Sequence, residues 1–150
     1  MAVAGGGAKM VGVQELPPRP VPLERAGCRV LVADDHGPLN AMISDALRSA
    51  GYQVDQAGDG DSALELLRAG SYCAAVIDVR MPEMDGFQLL AQAQTEQLEC
   101  RMIVISVVAD PESRSHAQRL GAVGFHQKPF QLAALLDDVQ SACSGVPALL

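Results

Sequence analysis

The sequence predicts an α/β fold in which helices cover both faces of a parallel sheet, a doubly wound arrangement. Short apolar runs, the length of fully buried strands, alternate five times with segments whose apolar residues recur at helical spacing. Parallel strands must be joined by crossovers, and right-handed crossovers pack the intervening helices onto the sheet. A third observation bears on function, because charged residues close three of the apolar runs. Asp34-Asp35 follow Val30-Leu31-Val32-Ala33, Asp78 follows Ala74-Ala75-Val76-Ile77, and Lys128-Pro129 follow Val123-Gly124-Phe125-His126. Ligands of such sheets sit beyond the carboxyl ends of the strands. Three carboxylates delivered to that edge repel one another unless a cation joins them or a proton neutralises one, and a lysine there supplies fixed compensation.

The first strand runs from Arg29 to Ala33. Leu39, Met42, Ile43, Ala46, Leu47 and Ala50 then give helix one, closed by Gly51. Residues 52–57 mix apolar and polar positions, as a strand near the sheet edge does. Asp59 or Asp61 offers an N-cap for helix two over Ala63 to Ala69, and Ser62 and Glu65 have capping-box spacing. The third strand, Tyr72 to Ile77, runs into Asp78 and the turn 81–86, after which Phe87, Leu90 and Ala91 begin helix three. The stretch 101–108 is the strongest strand, with Met102, Ile103, Val104 and Ile105 consecutive, and it ends near Ser106. Asp110 and Pro111 suit the N-cap and first position of a polar helix four that ends before Gly121. After strand five, Leu132, Leu135, Leu136 and Val139 form the stripe of an amphipathic helix five.

A chain of 150 residues fits one folded domain. It is expected over residues 28–143, with a Gly/Pro-rich tail over 1–27 and a short tail over 144–150. A net charge of −7 argues against binding a phosphate backbone, which requires a basic face. Cys28, Cys73, Cys100 and Cys143 form no C-x-x-C pair and read as structural, reduced thiols. His36, His116 and His126 lack the pairing of a helical zinc motif, so no zinc site is expected. His36 reads as an exposed loop residue. No run approaches the roughly 18 apolar residues of a membrane span, so a cytoplasmic location without membrane contact is expected.

From residue 28 to residue 143 the chain resembles the receiver domain of bacterial two-component response regulators. The resemblance rests on five features in order. They are Asp34-Asp35, the strand-end Asp78, the turn Met81-Pro82-Glu83-Met84-Asp85-Gly86, the hydroxyl residue Ser106 ending strand four, and Lys128-Pro129-Phe130. It implies the flavodoxin-like strand order 2-1-3-4-5, for which the family is a standing example.

The resemblance also implies roles. Asp78 would be the phosphoacceptor, receiving a phosphoryl group from a histidine kinase or phosphotransfer protein. Mg²⁺ would be held by Asp35 and Asp78, by Asp34 mainly through water, and by the backbone carbonyl of Arg80. Lys128 would contact phosphoryl oxygens. Ser106 would donate its hydroxyl to one of them, and its inward movement would free space for Phe125. The face formed by helix four, strand five and helix five would then change and control a downstream effector protein. That face serves homodimerisation elsewhere in the family, and the same use is open to this chain. A cis Lys128-Pro129 bond is in keeping with the resemblance. Two positions depart from the resemblance, Arg80 as a bulky cation at the mouth of the site and Val108 as an apolar residue two after Ser106, and they would tune dephosphorylation, while Phe125 stands where tyrosine is commoner.

Other readings are weaker. A haloacid-dehalogenase-type phosphatase requires Asp-x-Asp after strand one, whereas Asp34 and Asp35 are adjacent. A nucleotide site would require a glycine cradle that residues 34–38 lack. The alternative of weight is a pseudo-receiver, a phosphorylation-independent protein scaffold, but such domains usually lose an acidic or lysine position that this chain keeps. No DNA-binding or enzymatic output domain is recognisable, so the effect is expected to pass through contact. A stand-alone protein, a relay intermediate and part of a hybrid kinase or longer regulator all fit.

Overall fold

The structure is a computed structural model that describes residues 28–144, so the expected tail over 1–27, and all of that over 144–150 but its first residue, lie outside the described residues. The elements alternate in chain order: β1 (Arg29–Ala33), α1 (Gly37–Ser49), β2 (Gln53–Ala57), α2 (Gly60–Ala69), β3 (Ala74–Asp78), α3 (Gly86–Thr95), β4 (Arg101–Ser106), α4 (Pro111–Arg119), β5 (Gly124–Gln127) and α5 (Leu132–Cys143). All strand pairs are parallel, and the sheet order is β2-β1-β3-β4-β5.

Alternation along each strand divides the core into two layers. Val30, Val32, Ala74, Val76, Ile103 and Ile105 face α1 and α5, where Ile43, Leu47, Leu135 and Val139 meet them. Leu31, Ala33, Ala75, Ile77, Met102 and Val104 face the layer of α2, α3 and α4. Full burial on both faces explains why the strands read as continuous apolar runs.

Helix starts follow local chemistry. Asp59 caps α2 by accepting from the Ser62 backbone N–H at 2.7 Å, so the cap precedes the Ser62/Glu65 spacing noted in the sequence. The capping box belongs instead to α3, where Asp85 and Gln88 exchange side-chain and backbone bonds. Asp110 caps α4, with Pro111 at its first turn, as the sequence indicates.

Two helix faces differ from the expected stripes. The buried residues of α1 are Asn40, Ile43, Ser44 and Leu47, while Met42 is 46% exposed. On α3 the buried face is Gly86, Leu89, Leu90 and Ala93, turned from the Phe87, Leu90 and Ala91 stripe, of which Phe87 and Ala91 are half-buried. His36 is exposed in the β1–α1 loop, as expected, and has a further role there. Its Nδ1 accepts from the Leu39 backbone N–H at 3.2 Å and caps α1.

Candidate functional site

The strand order sets the carboxyl ends of β1, β3, β4 and β5 side by side, and each end carries one of the residues singled out in the sequence. Asp34 and Asp35 follow β1, Asp78 is the last residue of β3, Ser106 is the last of β4, and Lys128 follows β5 directly. Asp34, Asp78 and Ser106 are 1%, 4% and 3% exposed, whereas Asp35 stands in solvent. Among the described residues, one carboxylate oxygen from each of Asp34, Asp35 and Asp78 lies within 4.8 Å of the others. Such a set of hard oxygen donors, open to water on the Asp35 side, suits Mg²⁺.

Lys128 answers part of this negative charge. Its Nζ lies 2.9 Å from Asp34 Oδ2 and 3.2 Å from Asp78 Oδ1. Burial pushes the Asp78 carboxyl above the ordinary aspartate range, and the charge on Asp34 adds to that rise. Lys128 and a backbone hydrogen bond from Arg80 pull the other way without cancelling it. For Lys128, burial opposes the charged form, but the hydrogen bond to Asp34 and the charges of Asp78 and Asp34 outweigh it, so its pKa is raised. The site thus holds more negative charge than one lysine neutralises.

A crevice of about 630 Å³ opens beside these residues, lined among others by Asp35, Arg80, Met81, Ser106 and Val108. Arg80 is exposed and Val108 is 39% exposed at this opening. The Ser106 Oγ accepts from the Val108 backbone N–H at 3.0 Å, which leaves its own proton to be donated elsewhere. Gly86 follows from a close approach. A Cβ there would lie 2.5 Å from the Asp78 carbonyl oxygen, and its N–H donates to the Val79 carbonyl at 2.7 Å. The loop behind Asp78 can therefore close tightly only with glycine at that position. The Lys128-Pro129 bond is cis.

Phe125 sits apart from the carboxylates, half-buried against the α2/α3/α4 layer, with the Arg114 guanidinium 4.8 Å above its ring. A groove of about 230 Å³ between α4 and β5 adjoins it.

Asn40 is the supporting residue that the sequence reading missed. Its buried amide donates to the carbonyls of Val32, Asp34 and Ala57, while its oxygen accepts from Ser44 and Gln56. The network fixes the backbone that presents Asp34 and Asp35, and the Asp34 Oδ1 accepts from the His36 N–H at 2.8 Å. The available signal was positional: Asn40 and Ser44 share the helix face of Ile43 and Leu47.

The family described as "Response regulator receiver domain" matches residues 30–140 of this chain. The chain is similar to the regulatory protein AtoC of Escherichia coli, with 32% identity over 114 residues that span 76% of the chain and 25% of that protein. It is similar also to the probable transcriptional regulatory protein NarL of Mycobacterium tuberculosis, 34% identical over 78% of the chain and 55% of that protein. Among solved structures, the receiver domain of the Francisella response regulator 1452 superposes with a TM-score of 0.77 at 28% identity, covering 79% of this chain and 98% of that one. The chain therefore spans from a quarter to a little over half the length of these two curated relatives.

Proposed function

The chain belongs to the response regulator receiver family, and on that premise we propose that it is a Mg²⁺-dependent phosphoacceptor whose nucleophile is Asp78. The observation that carries this reading is the buried Asp78 carboxylate at the end of β3, flanked by two further carboxylates and contacted by Lys128 at 3.2 Å. An Asp78 oxygen would attack the phosphorus of a phosphohistidine on a kinase or phosphotransfer protein. The phosphorus–nitrogen bond breaks, the imidazole leaves, and an acyl phosphate forms on Asp78.

Asp35, Asp78 and the Arg80 carbonyl would hold Mg²⁺ directly, with Asp34 acting mainly through water. When bound, Mg²⁺ supplies positive charge to the transferring phosphoryl oxygens, as such loose transition states require. Lys128 would shift its contact from Asp78 toward those oxygens. The Ser106 hydroxyl would donate to one of them, drawing the β4–α4 loop inward and giving Phe125 room to turn. A phosphoryl group adds roughly two negative charges and three acceptors, enough to bias two packings that differ by a few kcal/mol. Arg80 and Val108, at the mouth of the crevice, would set how readily water reaches the acyl phosphate. Output would pass through the α4-β5-α5 face to an effector or to a second copy of the chain. No described helix is long and apolar enough to cross a membrane.

The test is the intact mass of the chain after incubation with acetyl phosphate, with and without Mg²⁺, beside Asp78→Asn. The expected result is a Mg²⁺-dependent gain of one phosphoryl group that Asp78→Asn does not show. No gain from acetyl phosphate or from a phosphorylated histidine kinase would sink the reading and leave the scaffold alternative.

A further inference from the structure

Three thiols converge at the opposite end of the sheet from Asp78. Cys28 immediately precedes β1, Cys73 immediately precedes β3, and Cys143 is the last residue of α5. Their sulfur atoms lie within 4.8 Å of one another, and all three residues are half-buried. We propose that Cys28, Cys73 and Cys143 form a three-thiolate site for a thiophilic d¹⁰ cation, Zn²⁺ or Cu(I), at the amino edge of the sheet.

The backbone under the cluster is already fixed. Gln53 donates to the Cys28 carbonyl at 3.0 Å, Cys73 donates to the Arg29 carbonyl at 2.9 Å, and Arg101 donates to the Cys73 carbonyl at 3.3 Å. The last turn of α5 is held by the Ser144 N–H to the Gln140 carbonyl at 2.9 Å. Three sulfurs bound to one metal at about 2.3 Å stand roughly 3.8 Å apart, so rotamer adjustments alone would close the set.

The chemistry selects the cation class. Thiolates prefer Zn²⁺ and Cu(I), whereas Mg²⁺ prefers the oxygen set at the other edge. Three adjacent sulfurs cannot all ionise without a cation between them. Burial, then the neighbouring sulfurs of Cys73 and Cys28, hold the Cys143 thiol well above the ordinary cysteine range. Metal uptake would therefore release protons. The fourth cysteine, Cys100, is pushed up to about 12 by burial and by Cys73, but it is not one of the three converging residues. A disulfide accounts for the arrangement less well, because it would use two sulfurs and strand the third. Protonated thiols are also poor nucleophiles for its formation. With the chain rising about 3.3 Å per residue from Cys73 to Asp78, the two sites are roughly 16 Å apart and can be loaded independently. A metal here would tie the end of α5 to the starts of β1 and β3.

The experiment uses the full chain, stripped of metal and reduced with a phosphine. Co²⁺ serves as the spectroscopic probe for Zn²⁺, and Cu(I) is offered from a coloured chelator. The expected result is uptake of one equivalent. With Co²⁺ this appears as a thiolate-to-cobalt charge-transfer band of three-sulfur intensity, bleached by one equivalent of Zn²⁺; with Cu(I), as withdrawal of one equivalent from the chelator. Cys28→Ser, Cys73→Ser and Cys143→Ser each lose most of the signal, and Cys100→Ser keeps it. Alkylation of the natural chain gives a readout that needs no variant: metal should shield Cys28, Cys73 and Cys143 while Cys100 reacts at an unchanged rate. Failure to take up either cation overturns the proposal. So does uptake that survives all three substitutions, or shielding that does not fall on those three residues. None of these readouts depends on Asp78, so failure here and failure of phosphorylation are separate results.

Discussion

Helix α1 buries Asn40, Ile43, Ser44 and Leu47 against the sheet, whereas α4 buries Ala117 alone among its residues. They pack on opposite layers of the fold; α4 lines the crevice through Ser113, whereas α1 begins just after Asp35 at its rim. The α1 side presents the acidic pair and is locked by the Asn40 hydrogen bonds to three carbonyls. The α4 side adjoins Ser106 and Phe125 and is held mainly by its Asp110 cap, the Phe87–His116 ring contact at 4.5 Å and Arg114 over Phe125. A site with one fixed wall and one lightly held wall can bind an ion in constant geometry and still repack on the other side. Regions with little buried apolar surface are those that open at low free energy.

The largest test of this contrast compares core truncations. Ile43→Ala should cost about 2–5 kcal/mol, as large-to-small changes at fully buried sites do. Ala117→Gly should cost only about 1 kcal/mol, mostly through helix propensity. Denaturant midpoints of both variants decide the matter, and equal losses would erase the distinction between the two walls.

Asn40→Leu comes next. It leaves the Val32, Asp34 and Ala57 carbonyls without their shared donor, a loss of about 1–3 kcal/mol. Mg²⁺ affinity, followed by titration, should fall along with stability because the Asp34-Asp35 backbone loses its support. A variant that is destabilised yet binds Mg²⁺ normally would confine Asn40 to the fold.

Arg114→Ala should change stability by less than about 1 kcal/mol, since the guanidinium is exposed over the Phe125 ring. Its effect should appear in mobility, as faster amide exchange along α4 with α1 unaltered. Uniform exchange across both helices would count against a loosely held α4.

The smallest expected effect has the opposite sign. Burial and the Asp34 charge raise the Asp78 pKa, so the folded chain binds that proton more tightly than the unfolded chain. Asp78 therefore weakens the fold as pH rises from the ordinary aspartate value of about 3.9 through its raised folded value, and the penalty persists above it. In Mg²⁺-free buffer, Asp78→Asn should melt above the natural chain at neutral pH. The difference should shrink as pH falls into that window. A lower midpoint for the variant at neutral pH would mean that the Lys128 contact outweighs burial.

The alternation of strands and helices was legible in the residues alone, because buried parallel strands demand unbroken apolar runs such as Ala74 to Ile77. So were the residues that close those runs: Asp34, Asp35, Asp78, Ser106 and Lys128 all stand at strand ends, where the chain leaves the sheet. The Asp110 cap was legible for the same reason, since capping is settled within four residues, whereas for α2 the sequence left Asp59 and Asp61 both open. Sheet order was reached only through the family resemblance, because local pattern does not say which strands are neighbours. Tertiary structure alone decided the rest. Asn40 turned inward to bond three backbone carbonyls, and Ser44 to bond the Asn40 side-chain oxygen, which an apolar count cannot register. His36 became a cap through the path of the chain after β1. Cys28, Cys73 and Cys143 met because strand order and the return of α5 bring three distant points of the chain to one edge, and spacing along the sequence carries no trace of that closure.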